Sequence, residues 1–496
     1  MSECTPDANS VVAEVFMPQA IPSEILEIDR KARAIRKCEK IELRSPQERV
    51  NDFDDVSIPL GVECIQLQAS RCIHCPDPAA CVVACPLHND IPSAMWLIEQ
   101  GQFLEAAALY RQTSSLPEIC GRVCPHEQVC EGSCVLTKEN ELPVLCGALE
   151  VFVMDYQRMY GDTSIPVGEP TGKKIAVVGA GPAGLACADV LVQKGYAVTI
   201  FEAKPAGGGL LTYGIPNFKL PKTVVFNRLE DYEKAGVTFV YDTFIGKDKT
   251  IDDIFEEGFE AVYVGVGTGV DARMEIPGED LQGVYEATDF LIRANVQESY
   301  LPQGLESKPD LGKKVVIVGG GDTASDALRS ALRLGAEEVT CIYRRTEKEM
   351  PGSYKDRELA REEGARYNFL TQPVRFVPGE NGQVVGVECI QMQLGEPDPS
   401  GRRRPVPIEG SEFIIEADTV VKGIGYWPDP TIGKTTPDLE THKWGLILAD
   451  AETGATSRPG VYAGGDAVTG PDLVVTATDS GRKSALAMDA YLKKKE

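Results

Sequence analysis

The sequence predicts an α/β protein in which a helical, cysteine-rich N-terminal region precedes two dinucleotide-binding units. Three observations carry that reading. Eight cysteines fall in two blocks between positions 72 and 134. From Lys173 onward an apolar strand, a glycine turn, a helix and a second strand follow in order, and the same unit returns at Gly319. The length of 496 residues leaves room for about three domains of ~150 residues each.

Composition excludes several classes. At 43 % hydrophobic and 25 % charged residues the chain is an ordinary globular one. Its 75 acidic against 50 basic residues give a net charge of −25. Nucleic acid and anionic membrane surfaces need a basic face, so neither is an expected partner. The acidity is read as a solubility feature. No apolar run approaches the ~20 residues of a membrane span. The start, Met-Ser-Glu-Cys-Thr-Pro-Asp, lacks the basic and apolar parts of a secretory leader. A cytoplasmic location is therefore expected, with cysteines serving metal or redox chemistry and not disulfides.

Residues 1–20 lack periodicity and read as a mobile tail; residues 23–42 read as a charged helix suited to a partner surface. From about 60 to 160 short helices alternate with cysteines. One opens at Ile91-Pro92, with Ser93 as its expected cap, and another covers 102–112. The cysteines run Cys72-x2-Cys75-x5-Cys81-x3-Cys85-Pro86 and Cys120-x3-Cys124-x5-Cys130-x3-Cys134. Thiolates two to five residues apart converge on one centre without long loop closures. The run is close to the bacterial ferredoxin pattern for [4Fe–4S] clusters, in which one cysteine ligates the other cluster. Zinc is the competing reading, although its sites usually pair two Cys-x2-Cys knuckles across a longer gap. His74 and His126 lie inside these blocks and His88 just beyond the first; they read as solvent-facing. No Ser-His-Asp or Cys-His constellation is present.

After a Pro/Gly-rich linker over 162–171, an apolar strand runs into Gly179-Ala180-Gly181-Pro182-Ala183-Gly184. The first glycine makes the turn, the second admits a pyrophosphate, and the third lets the helix pack on the strand. The helix N-terminus then faces the anion. The next strand, Ala197–Phe201, ends at Glu202, placed to accept hydrogen bonds from ribose hydroxyls. The second unit reads Gly319-Gly320-Gly321-Asp322-Thr323-Ala324, with alanine in the third position. Its next strand, Glu338–Tyr343, ends in Arg344-Arg345. An arginine pair attracts a 2′-phosphate that a carboxylate would repel, so this unit is expected to take NADP(H). Near the C-terminus a strand ends in Gly464-Gly465-Asp466, a carboxylate suited to a chain of sugar-like hydroxyls. A helix opening at 473–477, through Thr476 and Ala477, is placed to face a flavin ring edge.

These motifs, together with Gly209-Leu210-Leu-Thr-Tyr-Gly-Ile-Pro, Met350-Pro-Gly-Ser and Asp472-Leu-Val-Val-Thr-Ala, resemble the small (β) subunit of glutamate synthase. The large subunit of the bifurcating NADH-dependent ferredoxin:NADP oxidoreductase and the N-terminal half of dihydropyrimidine dehydrogenase share the pattern. The match covers roughly residues 40 to 496. The resemblance implies a helical domain with two [4Fe–4S] clusters over 1–160 and an FAD domain over 170–290 and 415–496. It implies a Rossmann-like NADP(H) domain over 291–414 inserted in that FAD domain. It implies Cys72, Cys75, Cys81 and Cys134 on one cluster and Cys85, Cys124, Cys130 and Glu150 on the other. Cys120 would then be structural. Counting thiols alone favours Cys120 over Glu150, and Cys146 also competes. The gap between Cys75 and Cys81 holds five residues where the family has four. The implied activity is NADPH-dependent: hydride to FAD, then single electrons through two clusters to a partner. That partner is a glutamate synthase large chain. In the transhydrogenase reading, which Asp52-Phe53-Asp54-Asp55-Val56 resembles, it is a small FAD/[2Fe–2S] subunit. A non-catalytic cluster-bearing scaffold is the reading from another class, and the intact second glycine turn opposes it.

Overall fold

The computed structural model describes residues 28–495, apart from 39, 140, 306–307 and 399–400. The expected tail over 1–20 lies outside the described residues. Of the helix expected over 23–42, the described part forms only Arg30–Ala34. That helix is tied down. The Arg30 and Arg33 guanidinium groups donate to the carbonyls of Ile73, His74, Ser70 and Cys72.

The cysteine region is helical, as its lack of β-branched runs predicts. Its centre is the helix Cys146–Tyr160, whose Leu149 and Val153 are fully buried against Phe103–Thr113 and Pro117–Val123. The helix Ile91–Glu99 is capped by Asp90, whose carboxylate accepts from Ser93 N, so the cap expected at Ser93 falls three residues earlier. Pro92 stands in the first turn, where no N–H is missed, and the acceptor belongs before it.

Each glycine unit is a five-stranded parallel sheet. The first runs Val461–Ala463, Ala261–Val264, Lys174–Val178, Ala197–Phe201, Thr238–Val240. The second runs Val284–Glu286, Thr419–Lys422, Lys314–Val318, Glu338–Tyr343, Arg366–Phe369. Their central strands read as unbroken apolar runs because both faces are covered. Ile175 and Val177 face one core while Ala176 and Val178 face another, the two-residue period of a strand. In the first unit the long C-terminal helix Val474–Lys494 packs along Pro182–Gln193.

The second unit departs from expectation in two ways. Its sheet includes Val284–Glu286 and Thr419–Lys422, so by sheet membership it starts before 291 and extends beyond 414. Val315 and Ile317 pack under the helix Asp322–Arg333, but Val316 and Val318 pack against a four-stranded antiparallel sheet built from Thr371–Pro378, Val384–Pro397, Arg403–Pro407 and Phe413–Glu416. Alternation in those strands is irregular and broken by bulges, which hid the sheet from periodicity.

The segment ahead of the cysteines joins both units. Arg49 is 1 % exposed and pairs with Glu362 at 2.6 Å, while Asn217 Nδ2 donates to the Phe53 carbonyl at 2.9 Å.

Candidate metal centres and nucleotide cradles

Two cavities lie inside the helical region. Cys72, Cys75, Cys81 and Cys134 line the first, with Met95 and Cys146. Cys85, Cys124, Cys130 and Glu150 line the second, with Cys120, Cys146, His126, Tyr110 and Val475. Each block thus places three cysteines around one cavity, Cys120 counted with Cys124 and Cys130 in the second, and sends one across: Cys134 to the first, Cys85 to the second. The crossing is built from local turns. Cys85 and Cys124 are the C-terminal caps of the short helices Ala80–Ala84 and Pro117–Val123. Cys146 and Glu150 stand one turn apart on one helix, so they share a face.

The donor set has the chemistry of a cation site. Burial pushes the Cys72 and Cys85 thiols up to about 12 and the Cys81 thiol higher still. Glu150 is held well above the usual carboxylate range by burial, and its Oε1 has no protein partner. So many buried acids ionise together only beside a positive group, which iron supplies. Cys120 helps push the Cys124 thiol up and Cys130 the Cys146 thiol, so both extra thiols sit against a family-implied ligand. Among the described residues, no three His, Cys, Asp or Glu side chains form a group that could hold a single metal ion. All described cysteines are free.

The histidines differ from their expected solvent-facing roles. His88 is exposed, but His74 is buried against Trp96 with ring centroids 5.9 Å apart, and burial lowers its pKa to about 4. The His126 Nε2 is buried without a protein partner, and the ring lies where a Cβ on Gly147 would be, 2.3 Å away. Spacing gave no sign of this, because the covering residues come from helices some twenty residues distant.

The first glycine turn is an open cradle. Gly179 has φ 99° and a Cβ there would stand 2.6 Å from Gly265 O. A Cβ on Gly181 would meet nothing within 4 Å, and one on Gly184 would strike Gly179 O at 2.0 Å. Turn, open face and close packing are thus divided among the three glycines. Pro182 and Ala183 begin the helix. Gly209 (φ 55°) leads into Leu210 and lies over Gly181, its missing Cβ 3.0 Å from Gly181 Cα. Glu202 accepts from Ala180 N at 2.8 Å and Lys204 N at 2.9 Å, which holds a buried carboxylate at the strand end. Gly465 (φ 63°) packs between Ala183 and Ala477, and Asp466 follows it with a carboxyl that burial raises to about 7. Thr476 Oγ1 donates to Leu473 O in the first turn of the C-terminal helix. The next residue along from Val474, Val475, lines the second cysteine cavity.

The second turn repeats the first. Gly319 has φ 146°, and a Cβ there would strike Gly423 O at 2.1 Å. A Cβ on Gly321 would again meet open space, whereas one on Gly320 would strike the Tyr343 ring. The segment around Gly352 crosses this turn. Ser353 N donates to Asp322 Oδ1 at 2.7 Å, and Thr323 Oγ1 accepts from Tyr426 OH. At the strand end the two arginines separate. Arg344 is exposed, while Arg345 is 6 % exposed and donates to Arg403 O at 2.8 Å and Asp398 Oδ2 at 3.0 Å.

Comparison with known proteins agrees with this geometry. Residues 49–162 match the family model described as dihydropyrimidine dehydrogenase domain II, 4Fe-4S cluster. Residues 173–481 match pyridine nucleotide-disulphide oxidoreductase. The glutamate synthase [NADPH] small chain of Escherichia coli K12 is 42 % identical over 441 residues, covering 88 % of this chain and 93 % of its own. AegA of the same organism, named as an oxidoreductase, is 43 % identical over 461 residues, covering 90 % and 68 %. The structure of Mycobacterium tuberculosis FprA in complex with NADPH shares the fold at a TM-score of 0.54 and 21 % identity, covering 66 % of this chain and 85 % of that one. No helix among the described residues is long and apolar enough to cross a membrane. The chain belongs to the pyridine nucleotide-disulphide oxidoreductase family, among the relatives of the glutamate synthase small chain that carry an iron–sulfur domain ahead of it.

Proposed function

We propose that this chain is the NADPH-oxidising, electron-input chain of a glutamate synthase, with the large chain as its partner and the cytoplasm as its setting. The relatives named glutamate synthase small chain are by name one part of a larger enzyme, which supports a partner subunit. FAD, when bound, accepts hydride from NADPH and releases electrons one at a time, which iron–sulfur clusters require. The chain's residues hold each group in place. Gly179, Gly181 and Gly184 shape the FAD cradle, Gly209 and Leu210 border it, and Glu202 accepts from the ribose. Gly320, Gly321, Asp322 and Thr323 form the NADPH turn, and Arg344 reads the 2′-phosphate.

One observation carries the reading. The first turn of Val474–Lys494 reaches both halves of the protein: Ala477 packs on Gly465 in the flavin unit, and Val475 lines the cavity of Cys85, Cys124, Cys130 and Glu150. That cavity is therefore assigned the cluster nearer the flavin, and the one lined by Cys72, Cys75, Cys81 and Cys134 the farther cluster. Cys146, which lines both, stands between them.

The test is anaerobic preparation with metal analysis and paramagnetic spectroscopy. The expected result is one FAD and, at four irons per cluster, roughly eight irons per chain, with the large chain co-purifying. Glu150→Ala should disturb one cluster signal and leave the other. If Cys120→Ala does this instead, the eighth ligand is Cys120. Zinc in place of iron would end the reading.

A further inference from the structure

A largely buried ionic joint lies where the two nucleotide units meet, and neither glycine motif uses it. Lys219 belongs to the first unit. Its Nζ donates to Asp326 Oδ1 at 3.0 Å and to Asp356 Oδ2 at 2.8 Å, both in the second unit. The three side chains are 19 %, 8 % and 14 % exposed, so the bonds form largely out of water. Asp326 stands one turn after Asp322 on the helix Asp322–Arg333, which opens at the second glycine turn, so the two share a face. Asp356 belongs to the helix Tyr354–Glu362, which follows the segment that crosses that turn. Its other oxygen accepts from Arg329 Nη1 at 3.1 Å, and Arg329 pairs in turn with Glu363 at 2.9 Å. The guanidinium groups of Arg329 and Arg333 lie 4.6 and 4.0 Å from the ring centroid of Phe218. Phe218 and Lys219, neighbours in the first unit, are thus each gripped by the second.

The joint is coupled to the first glycine cradle. Lys219 N donates to Pro216 O at 3.0 Å, closing the turn at the end of the stretch that begins at Gly209. Lys222 Nζ donates to the Leu211 carbonyl at 2.7 Å and to that of Ile215, and Lys222 N donates to Asn217 Oδ1 at 2.9 Å. The backbone from Gly209, which lies over Gly181, to Lys219 is therefore one braced piece.

We propose that Lys219 is a positioning residue for hydride transfer: its bonds to Asp326 and Asp356 hold the second glycine turn in register with the first cradle. The proposal rests on the reading of the second unit as the NADPH site and the first as the FAD site. Taking three charges out of water is costly, so a joint of this kind is a poor source of stability. Apolar contacts already hold the units together, with the ring centroids of Phe226 and Tyr300 4.8 Å apart. The ion pairs add direction. Apolar surfaces can slide past each other, whereas two carboxylates bonded to one ammonium select a single arrangement. Hydride transfer needs one arrangement, because reacting atoms must lie about 3–3.5 Å apart and a misplacement of ~1 Å costs on the order of a hundredfold in rate.

The experiment is anaerobic stopped-flow reduction of the full-length, flavin-loaded protein by NADPH, with NADP+ affinity measured separately by calorimetry. In Lys219→Met, flavin content and NADP+ affinity should be unchanged. The flavin reduction rate at saturating NADPH should fall about tenfold to a hundredfold, the scale of a small misplacement. The long-wavelength charge-transfer absorbance of nicotinamide stacked on flavin should fade with it. Lys219→Arg keeps the charge and should recover most of the rate. Lys219→Met/Asp326→Asn removes one charge of each sign, so no carboxylate is stranded if the single variant folds poorly. This double variant should be stable and still slow. An unchanged saturating rate in either variant that carries Lys219→Met would overturn the proposal, and so would a loss confined to NADP+ affinity. Failure of NADPH to reduce the flavin of the unaltered protein would instead remove the reading beneath it.

Discussion

The two glycine units share the order of four of their five strands, the turn and the open second glycine, yet their motifs differ at two small places. The third glycine position is Gly184 in the first unit and Ala324 in the second. The strand-end residue is Glu202 in the first and Arg344 in the second. The first difference concerns packing. Gly184 lies so close to Gly179 that a methyl group would overlap the carbonyl at 2.0 Å, whereas the second unit already holds a methyl beneath Gly319. The second difference concerns charge. A buried carboxylate pinned by two backbone N–H groups is suited to hydroxyls, while an exposed guanidinium is suited to phosphate. In the proposed function, one scaffold serves two nucleotides through one packing choice and one charge choice.

The packing contrast carries the largest expected effect. Gly184→Ala should destabilise the first unit by about 3 kcal/mol, the upper end of an overpacking cost, and abolish flavin retention. The converse change, Ala324→Gly, should cost about 1 kcal/mol of helix propensity and keep nucleotide binding. Thermal unfolding and flavin absorbance after desalting measure both. A flavin-replete Gly184→Ala protein of unchanged stability would erase the distinction.

Next comes the carboxylate. Glu202→Gln places an NH2 group where Ala180 N or Lys204 N now donates, so the side chain must turn away or leave a backbone donor unpaired. Flavin affinity should fall by about 2 kcal/mol, in the range of hydrogen bonds to charged groups. Flavin content unchanged after dialysis would show that Glu202 only braces the turn.

Arg344→Ser should weaken NADPH by about 1.4 kcal/mol, a factor of ten, and leave NADH untouched. Steady-state rates at low concentrations of each nucleotide provide the measurement. An equal loss with both would mean that Arg344 holds something common to the two. The smallest effect is ionic. Raising salt should narrow the NADPH advantage of the unaltered protein by a few-fold, because exposed charges are screened, and should do so less in Arg344→Ser.

Much of this contrast was legible in the chain. A glycine that makes a turn or admits a helix leaves a fixed spacing, and the strand-end residue follows at a fixed distance, so Glu202 and Arg344 could be found without coordinates. The donors of the two cavities were less so: two blocks were visible, but the exchange of Cys85 and Cys134 between cavities came only through resemblance. What escaped depends on partners far apart in sequence. Arg345 reads the same as Arg344 in a string of letters, and only the turn at Asp398 shows that it faces inward. His74 reads as polar and exposed, and Trp96 with the Arg30–Ala34 segment buries it. Asp90 and Ser93 are both capping residue types, and only the hydrogen bond from Ser93 N to the Asp90 carboxylate shows which of them caps. The antiparallel sheet left no clean alternation to find.

In the proposed function, electrons enter at the second unit from NADPH, pass to the flavin of the first, and leave through the cysteine cavities. Anaerobic stopped-flow mixing of the reconstituted protein with NADPH or NADH at matched low concentration tests it most directly, with flavin and iron–sulfur absorbance followed together. Flavin reduction should be about ten- to a hundredfold faster with NADPH, the scale of one or two charge-assisted contacts, and iron–sulfur bleaching should follow the flavin in time. Equal rates with the two nucleotides, or cluster reduction that precedes or bypasses the flavin, would contradict the claim.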